Sequence, residues 1–124
     1  MPVVQSRPMP PSLPKRTFSY DEAVDTFPHV RDVTDIAFRQ VEAIINRIQS
    51  RDEMERRKEE IEAACDRVVQ SWAERVIAFG CVVQGLWRVD WDNGAGYYSW
   101  RYPEDGLRYF HTYEDGFPGR VPVQ

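Results

Sequence analysis

At 124 residues, with 42% hydrophobic and 29% charged side chains and a formal net charge of −4, the chain suits one soluble domain with a real core. No stretch approaches the roughly 20 apolar residues that a bilayer demands, and the first 19 residues, free of acidic side chains, lack the apolar core of a signal peptide. Neither membrane insertion nor secretion by that route is expected, and the cytoplasm is the expected location.

In chain order, residues 1–16 hold five of the nine prolines, with Arg7, Lys15 and Arg16 as their only charged side chains. Such a segment cannot pair its backbone regularly and is expected to be a flexible basic arm. Three basic charges on an acidic protein are a weak nucleic-acid footprint, so nucleic acid is not an expected partner. Residues 17–124 are read as a single α+β domain.

Its first helix is expected to start at Ser19, which precedes Glu22 by three positions and forms a capping box with it. Pro28 lacks an amide hydrogen and is expected to interrupt or kink that helix. Beyond it Val30, Thr34, Ala37, Val41, Ile44 and Ile48 are spaced alternately four and three, the seam of a helix packed along a partner. Ile61, Cys65, Val68, Trp72, Val76 and Phe79 form a second stripe that ends at the capping residue Gly80. The two stripes predict a long antiparallel helical hairpin over about residues 20–80. Arg51 to Glu60, mixed in charge and without a stripe, makes its exposed tip. Cys65 and Cys81 are too few for a disulfide framework and too far apart for a Cys-x-x-Cys motif, and are read as buried thiols.

After Gly80 the period changes to two. Trp87, Val89 and Trp91 alternate with Arg88 and Asp90, and Tyr98, Trp100 and Tyr102 with Ser99 and Arg101. Asp92-Asn-Gly94 and Pro103-Glu-Asp-Gly106 supply turns, and Leu107 to Thr112 a further strand. The expectation is a three-stranded antiparallel meander over about residues 82–113, its aromatic face covered by the helices, followed by a Gly/Arg turn over 114–124.

Several of these segments resemble a prokaryotic family of uncharacterised proteins, the domain-of-unknown-function family numbered 2203. They are Phe18-Ser-Tyr-Asp-Glu-Ala23, Val89-Asp-Trp91, Ser99-Trp-Arg-Tyr-Pro-Glu104, Phe110-His111 and Gly116-Phe-Pro-Gly-Arg120. The resemblance spans residues 18–123 and is most specific in the closing segment. Ser99 stands where the family usually has cysteine, and Pro103 where it has glycine. Two long helices leading into strands are what the resemblance implies, and no activity comes with it.

Arg101, Glu104, His111, Glu114 and Arg120 are the candidate binding residues, and Asp115 lies among them. They converge if the strand of Trp100 pairs with that of Phe110. His111 then has two placements. With Phe110 in the core beside Trp100, the imidazole points away with Arg101 and Asp90 onto a reachable polar patch; with Leu107, Tyr109 and His111 facing the helices, it is a satisfied core group. The alternation favours the first. His29, beside Pro28, is read as a surface or capping residue. Arg120 either clamps a carboxylate such as Glu104 or Glu114, with Phe117 plugging the core, or holds a small anionic ligand. The alternating aromatics are read as a packed face, and no recognised catalytic motif is present. Two functions remain. The first is a small binding or protein-interaction module, a homodimer through its helices. The alternative is a metal-dependent enzyme, a hydrolase for instance, with Glu104, His111 and Glu114 holding a divalent metal such as zinc or manganese.

Overall fold

A computed structural model describes residues 16–123, so the arm lies outside the described residues except for Arg16. Three helices, α1 (Tyr20–Asn46), α2 (Arg51–Arg56) and α3 (Lys58–Ala78), precede five strands. The strands are β1 (Val82–Gly85), β2 (Arg88–Asp92), β3 (Gly96–Arg101), β4 (Tyr109–Thr112) and β5 (Val121–Pro122), and they pair antiparallel in sequence order. The class is α+β as expected, but the sheet has five strands rather than three. Both extra strands lack the alternation that marks β2 and β3. One is four residues long with a register shift between Val83 and Gly85, and the other is two residues ending in proline.

α1 opens on the expected capping box: Glu22 N donates to Ser19 Oγ at 3.1 Å, and Ser19 N donates to Glu22 Oε1 at 2.9 Å. Pro28 does not end it, and the helix runs unbroken to Asn46. The carbonyl four residues back belongs to exposed Val24, where water can replace the lost amide. The tip holds α2, capped by Ser50 Oγ accepting from Glu53 N at 3.0 Å. Arg16, assigned to the arm by sequence, is instead docked on the end of α3, where its Nη1 donates to Phe79 O at 2.7 Å beside Gly80 at φ 95°. A cation there satisfies a carbonyl the helix leaves open.

α1 and α3 run antiparallel, joined through the expected stripes. Trp72 Nε1 donates to Thr34 Oγ1 at 2.7 Å, and that hydroxyl donates to Val30 O at 2.7 Å, so one buried polar group serves both helices. His29, expected at the surface, is exposed and stacks on Phe79 at 5.9 Å. The sheet lays Val89, Trp91 and Trp100, all fully buried, against this pair. Phe27 of α1 meets Trp100 edge-on at 5.4 Å and Trp91 at 6.2 Å. At the sheet's other end Trp87, in the left-handed region at φ 62°, wedges its ring against Trp72 at 4.9 Å and Phe38 at 5.8 Å. A bulky residue at positive φ is strained, and this ring packing is what holds it. The cysteines sit at different depths, Cys81 buried and Cys65 half-buried; burial pushes the Cys81 thiol up to about 12, which makes it inert. Among the described residues no helix is long and apolar enough to cross a membrane.

Replacing Thr34 by valine keeps the shape but removes the hydroxyl that accepts from the Trp72 N–H. Urea denaturation of Thr34→Val should show a loss of about 1–3 kcal/mol. A loss indistinguishable from zero would mean that the bond joining the two helices contributes nothing net.

Candidate functional site

Strand alternation sends the residues between the core aromatics to the sheet's outer face. β3 pairs with β4 as the site required, placing Tyr97 opposite His111 and Tyr98 opposite Phe110. His111 therefore lies on the face away from the helices, with Asp90 and Arg101. It is not open to solvent: only 4% of it is exposed, with Tyr97 packed against the imidazole at 5.5 Å and Tyr113 against Tyr97 at 5.1 Å.

His111 Nε2 lies 3.0 Å from Asp90 Oδ2, and Nδ1 lies 2.8 Å from Thr112 O. A carbonyl only accepts, so Nδ1 is the donor to Thr112 O, and Nε2 faces the Asp90 carboxyl. Gln84 Nε2 donates to the same Oδ2 at 2.9 Å. Burial pushes the Asp90 carboxyl above its ordinary value, and the bonds from Gln84 and His111 offset only part of this. Ser99, opposite Asp90 in register and fully buried, is near enough to ease that charge but is not aligned for a hydrogen bond. Gln84 was missed in the sequence because its strand carries no alternation.

The second centre is at the Pro103 turn. Arg120 grips Glu104 with both prongs, Nη1 to Oε1 at 3.0 Å and Nη2 to Oε2 at 2.8 Å, while Arg101 N donates to Oε1 at 2.9 Å. This is the carboxylate clamp expected of Arg120, with Glu104 rather than Glu114 as its partner. Phe117 does not plug the core. It lies half-buried on the outer face, with the Arg88 and Arg120 guanidiniums stacked on its ring at 4.2 and 4.0 Å. Burial raises the Glu104 carboxyl, but the Arg120 guanidinium and the Arg101 amide outweigh it and hold the group below its ordinary value of 4.5.

Of the five candidates, Arg120 and the backbone amide of Arg101 meet at Glu104, His111 joins Asp90, and Glu114 is exposed on the following turn. The ligand set Glu104, His111 and Glu114 is not assembled. Among the described residues no group of three or more histidines, cysteines or acids is arranged to hold a metal. Both ring nitrogens of His111 and both oxygens of Glu104 already have partners.

A third feature lies at the far end of the helical pair. Ile45, Met54, Ile61 and Cys65 floor a cavity of about 400 Å³ whose rim carries Glu55, Lys58, Glu62 and Asp66. Ile45 is 41% and Met54 37% exposed.

Two outcomes follow for the outer face. Asp90→Ala strips the acceptor from both His111 and Gln84 and should cost about 3–5 kcal/mol in urea denaturation, whereas a loss under about 1 kcal/mol contradicts a paired buried dyad. A lowered Glu104 carboxyl contributes stability that is present above its unfolded value and lost as the pH falls through its folded one. Glu104→Gln should therefore cost about 2 kcal/mol at pH 7 and progressively less below pH 4.5, the ordinary value. A gap between the two proteins that stays constant down to about pH 3 contradicts the ionised clamp.

Compared with known proteins, the chain matches no curated protein and no solved structure. A family described as "Uncharacterized conserved protein (DUF2203)" matches residues 16–123, which takes in every helix and strand above. The chain belongs to that family of uncharacterised conserved proteins.

Proposed function

We propose that this protein is a self-associating interaction module whose two copies join through the distal half of the α1–α3 pair. The observation that carries this reading is the mismatch between helices and sheet. Ring contacts from the sheet reach α1 no further than Phe38, through Trp87 and Tyr102. The last buried residue of α1 is Ala37, and on α3 only Ile61 is buried ahead of Trp72. Beyond Phe38 α1 runs on for about 12 Å, and α3 runs for about 20 Å ahead of Trp72, at 1.5 Å per residue, and there Val41, Ile44, Ile48, Cys65 and Val68 are only half-buried.

A second copy is the occupant that the rim favours. The groove carries Lys58 among Glu55, Glu62 and Asp66, so a two-fold contact sets the lysine of one copy against the acids of the other. The paired helices then form a four-helix bundle with the groove residues as its interior.

Sedimentation velocity from about 1 to 200 μM should show the mass rising from 14.6 kDa towards a dimer, a concentration range that brackets micromolar association. Ile45→Glu combined with Met54→Glu replaces two exposed side chains and should keep the helical circular dichroism while remaining monomeric. A wild-type protein that stays monomeric throughout the range refutes the proposal, as does a double variant that dimerises like the wild type.

A further inference from the structure

The pairing of β2 with β3 sets Arg88 directly across from Arg101. The rung is of the close kind. Tyr102 N donates to Trp87 O at 3.0 Å, and Arg101 N is taken by Glu104, so the two arginines exchange no backbone bonds and their Cα atoms are about 4.5 Å apart. Like charges facing each other at this spacing repel unless something lies between them.

The positive charge of Arg101 is felt by Glu104, but that carboxylate is already clamped by Arg120. Neither Arg88 nor Arg101 forms a salt bridge there, and the buried Nε–H of Arg88 has no acceptor. A third guanidinium stands beside Arg88, since Arg120 shares the Phe117 ring with it, and Glu104, which grips Arg120, also accepts from the backbone amide of Arg101. The next acid along β2, Asp90, is committed to His111 and Gln84. The guanidiniums of Arg88, Arg101 and Arg120, with Glu104 the one carboxylate among the described residues paired to any of them, leave an excess of two positive charges on a chain whose formal net charge is −4. Part of the excess is also pre-organised: the Phe117 ring holds the Arg88 and Arg120 guanidiniums and Glu104 grips Arg120, so a ligand has less ordering left to impose.

The geometry points to a binding site for a phosphate dianion at Arg88 and Arg101, with Arg120 fixed beside Arg88 by Glu104. Guanidinium forks match phosphate oxygens two at a time, and the dianion matches the local excess of charge. The inference does not depend on self-association, because the site lies on the sheet's outer face and not on the helices. The phosphate is either the free ion or a monoester on a small molecule.

Thermal melting and calorimetric titration of the full chain decide the matter, using inorganic phosphate and glycerol 3-phosphate, each against sodium chloride at the same ionic strength. Saturable binding and a rise in Tm beyond the chloride control are expected with at least one of them. Equal or better response to the free ion identifies it as the ligand, and a tighter response to the ester identifies a phosphate carried on a larger molecule. Arg101→Gln changes an exposed side chain, should fold normally, and should weaken the binding at least about tenfold. Arg88→Lys, which keeps the charge but loses the fork, should weaken it as well. A response no greater than chloride in both arms overturns the inference, and so does binding undiminished in Arg101→Gln.

Discussion

The structure depends on the aromatic layer between the paired helices and the inner face of the sheet. Trp91 and Trp100 are fully buried there and Trp72 nearly so, and Thr34 accepts from the indole N–H of Trp72. Once that face is committed to the helices, alternation leaves no choice for the other. Arg88, Asp90, Ser99, Arg101 and His111 have to lie outside it. The chain then closes part of the outer face with its own last turn, laying Phe117 under two guanidiniums, while Tyr97 of β3 packs on the imidazole and Tyr113 on Tyr97.

Much of this was legible in the sequence because it follows from periodicity. The four-and-three spacing of Val30 to Ile48 and of Ile61 to Phe79 named the two long helices, and the alternation around Trp91 and Trp100 named both the inner face and its polar opposite. The Ser19–Glu22 spacing placed the first cap. An equivalent signal, Ser50 followed three residues later by Glu53, marks α2 but is masked by dense mixed charge. Pro28 was the reverse case, a helix breaker overridden by tertiary packing on both sides, at Phe27 and Val30.

What was not legible in the candidate site was depth and choice of partner. Alternation assigns His111 to a face but does not tell whether that face is wet, and it is the Tyr97 ring, backed by Tyr113, that packs over the imidazole. Nor does spacing choose between Glu104 and Glu114 for Arg120. That choice is made by the turn after Tyr102, which brings the Glu104 carboxylate to the Arg101 amide, sixteen positions from the guanidinium that grips it. The Arg88–Arg101 rung depended on knowing the register, which the turn lengths alone do not settle.

The two short outer strands have a consequence for how copies can meet. One edge of the sheet is four residues long and loses register part-way, and the other is two residues ending in a proline with no amide to donate. Neither border offers a run of free backbone groups long enough to template a visiting chain. Extension of the ladder from molecule to molecule, the usual hazard of an open antiparallel sheet, is thereby blunted at both margins.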